Sequence, residues 1–479
     1  MVEKKKINFV TIHRDLKEKL NAISPSFCAA KWTQVSLHLH NGRTHSCHHP
    51  RPHIVPLEEL RKNPSALHNT NHKKQQRKLM LEGIRPKECQ YCWNVEGLPN
   101  YDSGTFFSDR ITKSGEPWSR CKIDEIVKSG PDANLNPTYV EVNFSNICNF
   151  KCSYCSPVFS SRWTEEIEKY GPYPMASNYN NLDWYRKNGE MPIHHKEHNP
   201  YVEAFWKWWP DLVKDLQVLR ITGGEPLLAD DTYKILDFLQ KNPQPQLRLA
   251  INTNACSPNS KIDDFIAKAK QLLLEKKILN LDLFISIDSV GAPAEYGRFG
   301  LNFNQWLINV ERFLVEFPTT KITIMSATNI FSVTKYKELL EILLEFKRKY
   351  TTEIRPVAVS LDVAILTHPQ HQCVSILTDE YKNCMDSSLE FMKNNRVNKT
   401  NADGTGIGFL DYEISRMERF VEFLKTKPKE SDSFNLETLQ KDFYKFVNEH
   451  DRRRGTNFLE VFPELLNFYN HCKSLVLEN

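Results

Sequence analysis

The chain predicts an α/β protein built on a parallel sheet, open or curved into a partial barrel, between a Cys-rich N-terminal unit and a helical C-terminal region. Three observations predict it. Short apolar runs recur between about Pro137 and Ile365, with helical patterns between them. Candidate ligand-binding residues fall directly after those runs, and parallel sheets gather their chemistry at the carboxyl ends of the strands. Cysteines concentrate in two places, a tight run at 148–155 and a dispersed set before residue 93.

The first unit, 1–125, is rich in His and Cys and short in periodicity. It carries a hairpin-like stretch from Thr33 to Gly42, with Asn41-Gly42 as its turn. Between Arg43 and Lys87 lie ten Lys or Arg against three Glu. By default these are solvated helix-face charges, as in His72 to Lys78; a surface for an acidic peptide or polyphosphate is the alternative.

The second unit, 126–372, opens with Thr138 to Phe144, which alternates like a strand and runs straight into the cysteines. Leu216–Thr222, Leu247–Asn252, Leu281–Ile287, Lys321–Ala327 and Val357–Ile365 read as buried parallel strands. Helical patterns at Tyr233–Leu239, Ile262–Leu274, Phe303–Phe317 and Tyr336–Tyr350 separate them. Residues 171–202, rich in Asn, Pro, Tyr and His, read as a long inserted loop. The third unit, 373–479, is helical, with a polar linker over Lys427–Ser433.

Composition sets limits. At 479 residues, 40% hydrophobic and 25% charged, the chain is long enough for two or three domains with a large core. No apolar run approaches a membrane span, and Met1 to Lys6 lacks the apolar core of a signal peptide, so the chain reads as cytoplasmic, with no membrane partner. Twelve cysteines then point to a reducing compartment where thiols serve metals or chemistry. A net charge of +4 does not favour a nucleic-acid partner.

Cys148, Cys152 and Cys155, spaced C-x3-C-x2-C, are packed too tightly for paired zinc knuckles. On spacing alone a three-cysteine zinc site is the alternative; three thiolates on an iron–sulfur cubane would leave one iron open. After the second strand, Gly223-Gly224-Glu225-Pro226 pairs two glycines, which admit a ligand close to the backbone, with an acceptor for an ammonium group. After the third, Asn252-Thr253-Asn254 offers amides and a hydroxyl to a polar ligand. Ser286-Ile287-Asp288-Ser289 follows the fourth, and Arg298 lies beyond it.

In that order these motifs resemble the radical S-adenosylmethionine (SAM) superfamily, and the whole chain is similar to its twitch-domain (SPASM-like) proteins. The stretches Asn199 to Pro210 and Asp451 to Leu465 belong to that resemblance. It implies a partial (β/α)6 barrel and a 4Fe–4S cluster on Cys148, Cys152 and Cys155 whose open iron holds SAM. Gly223, Gly224, Glu225 and Pro226 would receive the methionine amino group. Ser286 and Asp288 would meet the ribose and carboxylate, and Arg298 would pair with that carboxylate. Asn252 and Asn254 would also touch the cofactor, and Tyr154 would lie near the adenine. Breaking SAM to a 5′-deoxyadenosyl radical, which abstracts a substrate hydrogen, is the implied reaction; it calls for a one-electron donor such as a flavodoxin or ferredoxin.

Cys28, Cys47, Cys89 and Cys92 form a second set, the last two in a C-x2-C knuckle. Four thiolates can close a cage on zinc or an iron–sulfur cluster. The set resembles a twitch auxiliary-cluster domain, here placed before the barrel instead of after it. Zinc is the alternative, because His38, His40, His45, His48, His49 and His53 crowd the same region. Cys121, Cys256, Cys373, Cys384 and Cys472 read as structural, with Cys256 near the expected active-site rim, and Trp206, Trp208 and Trp209 read as core. The resemblance implies a peptide or protein substrate. A nucleotide, RNA or sugar is the rival within enzymes, and a non-catalytic metal-stabilised binding protein the rival outside them.

Overall fold

The computed structural model describes residues 2–99, 101, 106–397, 407–426 and 435–477. The polar linker expected over Lys427–Ser433 lies outside them. The strands are β1 (Gln34–His38), β2 (Arg43–His45), β3 (His53–Ile54), β4 (Tyr139–Asn143), β5 (Lys151–Cys152), β6 (Val218–Thr222), β7 (Gln244–Thr253), β8 (Ile278–Ser286), β9 (Arg298–Phe299), β10 (Ile322–Thr328) and β11 (Val359–Ile365). Nine of them build one sheet in the order β11-β10-β8-β7-β6-β4-β1-β2-β3, and β5 pairs with β9. From β4 to β11 the strands lie side by side in chain order, and every neighbouring pair is parallel. Helices Asp230–Lys241, Asn259–Leu274, Phe303–Glu316 and Tyr336–Tyr350 connect them, each starting within three residues of its expected position.

The strands are not apolar on both faces, as the sequence reading had them. Leu219, Ile221, Leu249, Ile251, Leu283 and Ile285 pack under the helices. The alternate residues Glu141, Arg220, Asp282 and Phe284 share the opposite face and are only half-buried. Side chains alternate across a strand, so this second face is free to carry polar groups. The expected site residues stand at its carboxyl-terminal edge.

The N-terminal unit is fused to this sheet. β1 runs parallel to β4 in a register that pairs Gln34 with Tyr139 and His38 with Asn143. The sheet therefore crosses the expected boundary at 125/126, and Val35 and Leu37 share a core with Val140 and Val142. The hairpin forms as expected, with β1 before the Asn41-Gly42 turn and β2 after it. A smaller core (Leu16, Leu20, Phe27, Trp32, Met80, Trp93, Ile111) surrounds the N-terminal cysteines. Leu16 and Leu20 come from a helix, Val2–Ile23, whose mostly polar sequence hides its amphipathic face.

Two expectations are corrected. Lys73 and Arg77, read as solvated charges, are buried on the inner face of helix Asn71–Leu81. Lys73 Nζ donates to Thr44 Oγ1 at 2.8 Å, and Arg77 Nη1 to Asn69 Oδ1 at 2.9 Å. Residues 171–202 are not a plain loop: they hold helix Leu182–Lys187 and the start of helix Pro200–Leu212, which Asn199 caps. Helices Asp386–Asn394, Asp411–Leu424, Leu436–Arg454 and Leu466–Leu477 make up most of the C-terminal region, and many of their apolar residues join the main core. No helix among the described residues is long and apolar enough to cross a membrane.

Candidate active site

A cavity of about 320 Å³ opens at the carboxyl ends of the parallel strands. Its walls include Cys148, Cys152 and Cys155 together with Tyr154, Gly223, Gly224, Glu225, Pro226, Asn252, Asn254, Ser286 and Arg298. Thus every site residue expected at this end lines one space, except Asp288. The far wall, from Met325, Ser326, Ala327 and Ala364 at the ends of β10 and β11, is one the sequence reading did not anticipate.

The cysteine loop is held by its own backbone. Gly224 N donates to Ser145 O at 3.3 Å and Glu225 N to Ile147 O at 2.7 Å, so the turn after β6 lies directly against the loop. A Cβ on Gly224 would stand 2.1 Å from Ile147 O, and one on Gly223 (φ +128°) 2.4 Å from Asn143 Oδ1. These glycines are needed first for chain-to-chain contact, and the exposed backbone beside the cavity follows from it. Around the loop, Trp163 Nε1 donates to Cys152 O (2.9 Å), Ser160 Oγ to Phe150 O (2.7 Å) and Arg454 Nη1 to Lys151 O (2.9 Å). Tyr179 and Gln372 reach Ser153 O at 3.2 and 3.0 Å. These five side chains come from four separate stretches of chain, which sequence spacing does not connect.

β5–β9 pairing sets Cys152 opposite Arg298. Arg298 grips Asp288 through two bonds, Nε to Oδ2 at 2.8 Å and Nη2 to Oδ1 at 3.0 Å. Asp288 also accepts from Tyr154 OH (2.8 Å) and Ala327 N (2.7 Å). Four donors saturate its oxygens, so Asp288 sits behind the cavity wall as a positioning residue. Arg298 Nη1 remains 3.9 Å from Cys152 Sγ. Burial pulls the Arg298 guanidinium down, but Asp288 and its neighbours push it up by more, and the net displacement is well upward.

Glu225 is likewise turned inward. It accepts from Thr253 Oγ1 (2.6 Å), Asn254 N (2.6 Å) and Leu227 N (3.1 Å). Burial nevertheless raises its carboxyl to about 7, against those bonds. Asn252 accepts from Arg220 Nε at 2.9 Å, and Asn254 Nδ2 donates to Asn149 Oδ1 at 2.8 Å, tying the cysteine loop to β7. Cys256 N bonds Asn254 Oδ1 at 2.8 Å, but its thiol points to Asn302 O and does not line the cavity. Burial pushes all three loop thiols up, Cys155 to about 12.

The second cysteine set also comes together. Cys28, Cys47, Cys89 and Cys92 line one small space of about 20 Å³. His49 is the only histidine on that wall. His38 and His45 face each other across β1 and β2 at 3.0 Å, and His53 bonds Thr70 Oγ1 at 3.0 Å. Lys31, Arg110 and Lys113 also line the space, an arrangement that no local pattern of residues encodes. Burial pushes the Lys31 ammonium down, yet Cys89, Glu88 and Cys47 carry it upward overall. Burial raises Cys89 to about 12. Because β1 and β4 are parallel, this set lies at the amino end of β1 and the triplet beyond the carboxyl end of β4. Five residues of strand, roughly 17 Å, separate those levels. Among the described residues no three His, Cys, Asp or Glu side chains converge on a single point as the ligands of one bound ion would.

No protein-family model matches this chain, and no curated protein matches it.

Proposed function

We propose that the protein is a radical SAM enzyme, a partial (β/α)6 barrel with a four-cysteine auxiliary centre in a twitch-like unit. One observation carries the reading: the three closely spaced thiols share a single cavity with the Gly-Gly turn, the Asn252 and Asn254 amides and Ser286, at the ends of successive parallel strands, and with Arg298 of β9. The residues fit the group. Three thiols leave an iron–sulfur cubane one ligand short, and a 320 Å³ space adjoins them, large enough for a small polar ligand. When bound, the cluster and SAM supply a carbon radical able to take a hydrogen atom from the substrate.

The chain's own part is to bind, orient and exclude water. Cys148, Cys152 and Cys155 would hold the cluster. Backbone groups of Gly223 and Gly224 and the side chains of Asn252, Asn254 and Ser286 offer polar contacts to SAM. Arg298, fixed by Asp288, offers a guanidinium edge beside Cys152 for a carboxylate. Tyr154, which lines the cavity, is tethered by its hydroxyl to Asp288. Glu225 braces Thr253 and Asn254 from below, so its carboxylate supports the site instead of reaching into it.

A polar substrate, of which a peptide is one, suits the half-buried Glu141, Arg220 and Asp282 on the open face of the sheet. Of the basic segment that would suit a nucleotide or RNA, Lys73 and Arg77 are internal and the other eight Lys and Arg stay at least partly exposed. The test is anaerobic reconstitution with iron and sulfide, then SAM and dithionite. Formation of 5′-deoxyadenosine that disappears in Cys152→Ala is expected; no product, or undiminished product in the variant, overturns the reading.

A further inference from the structure

The open face of the sheet from β4 to β11 carries three acidic side chains, Glu141, Asp282 and Asp362. Two of them have a cation of their own. Asp282 accepts from Arg248 Nη2 at 2.9 Å, and Asp362 pairs with Arg416. Glu141, in the middle of β4, has no hydrogen bond or ion pair among the described residues. Its neighbour on β6 is Arg220, but that guanidinium is turned away. Arg220 Nε donates to Asn252 Oδ1 at 2.9 Å, and the guanidinium carbon lies 4.2 Å from the centre of the Phe284 ring. On the other side Glu141 faces Ser36 of β1, with Gln34 one step along the same face. Both are 1% exposed, and neither Ser36 Oγ nor Gln34 Oε1 has a hydrogen-bond partner. Gln34 turns its amide nitrogen to His48 at 3.4 Å, which leaves its oxygen free.

Glu141 is partly accessible, yet burial pushes its carboxyl up, and attraction to Arg220 and Lys113 does not bring it back. A side chain that solvent reaches but hydrates poorly sits in a recess, and this recess is short of positive charge. Its loose ends are acceptors: a carboxylate, a hydroxyl and an amide oxygen. An ammonium group brings three donors and one charge on a compact head, which matches that set. The recess also lies where a substrate is needed. Thr222, the next residue of that face along β6 after Arg220, lines the 320 Å³ cavity, a step of about 7 Å. A four-carbon stem spans such a step. We infer that Glu141, backed by Ser36 and Gln34, binds a primary ammonium group whose carbon chain runs up to the triplet cavity, which makes the substrate an amine. A lysine side chain and a free α-amine present the same group. That the amine is the substrate rests on the proposed function, whereas its binding does not.

The test is calorimetric titration of the full chain with lysine amides that differ only in acetylation. Nα-acetyl-lysine amide keeps the side-chain ammonium, Nε-acetyl-lysine amide keeps the α-amine, and the doubly acetylated amide keeps neither. At least one of the first two should bind, which names the source, and the third should not. Glu141→Gln should weaken that binding about tenfold or more, and Glu141→Asp should restore part of it. The urea midpoint separates a binding role from a structural one. Without amine, Glu141→Gln should hold or raise it, because a charge without a partner has been removed. Equal binding of all three amides, binding of none, binding indifferent to Glu141→Gln, or a lower midpoint in that variant overturns the inference. In the reconstituted protein, saturating SAM should leave the amine's affinity unchanged; competition would make the recess part of the cofactor site and overturn the inference as well. Glu141-dependent amine binding by a chain that forms no 5′-deoxyadenosine keeps the recess and removes the proposed function. The reverse result keeps the function and removes the recess.

Discussion

The two cysteine sites differ in what they leave unfinished. The triplet supplies three thiols to a space of about 320 Å³, and the one cation lining that space, Arg298, is paired with Asp288. The N-terminal set supplies four thiols to about 20 Å³ and places Lys31, Arg110 and Lys113 around them, with buried Lys73 close by. What separates the two is room: about 320 Å³ beside the triplet against about 20 Å³ among the N-terminal thiols. The N-terminal cations are paired as Arg298 is, Lys31 with Glu88, Arg110 with Glu96 at 2.7 Å and Lys113 with Asp109 at 3.9 Å. Buried Lys73 adds little charge to that set: its Nζ donates to the uncharged Thr44 hydroxyl at 2.8 Å, and burial, then Arg77 and Lys31, push its ammonium well down.

The largest expected effect separates the sites directly. A variant with Ala at Cys148, Cys152 and Cys155 should lose 5′-deoxyadenosine formation to background yet keep metal at the N-terminal set. Metal analysis decides it: about four residual irons mean a second cluster, one zinc means a structural cage, and no metal means the comparison fails.

Next comes Asp288→Asn. It leaves the buried Arg298 charge without its partner, a loss of about 3–5 kcal/mol for a pair of this kind. Denaturant unfolding of the metal-free chain should show it, and Arg298→Leu in the same chain should recover part of the loss. A midpoint unmoved by Asp288→Asn would mean that the pair does not hold the Cys152 wall.

These two predictions mark what was and was not legible. The triplet and the Gly-Gly turn are continuous in sequence, so their spacing carries their meaning, and short apolar runs located the six strands of the main sheet from β4 to β11 to within a few residues. Asp288 could be placed near the site but not behind its wall, because four donors from three separate segments decide that. Lys31, Lys73 and Arg77 look like surface charges in any local window; only the docking of helix Asn71–Leu81 buries them. The parallel pairing of β1 with β4 spans about a hundred residues, and no periodicity encodes it.

Glu225 sharpens the comparison through pH. Its folded carboxyl titrates near 7, above the usual carboxylate range, because it is buried. The folded state therefore binds a proton that the unfolded chain has released, and stability falls as pH rises from about 4.5 to 7. The effect is on the order of 3 kcal/mol at most. In Glu225→Gln that fall should flatten, as read by urea midpoints across the range. An unchanged slope would assign it to another group.

The smallest effect tests why the glycines are there. Gly224→Ala places a methyl 2.1 Å from Ile147 O, a backbone atom that cannot swing away. Overpacking of this type costs about 1–3 kcal/mol. If the turn serves chiefly to carry the cysteine loop, the variant should lose stability and triplet metal together while the N-terminal metal is retained, because nothing in the N-terminal cage touches that turn. If the turn serves chiefly the cofactor, stability and metal should survive, and only SAM affinity should drop. Equilibrium unfolding, iron content and SAM binding on one preparation separate the two, and the 2.1 Å contact favours the first.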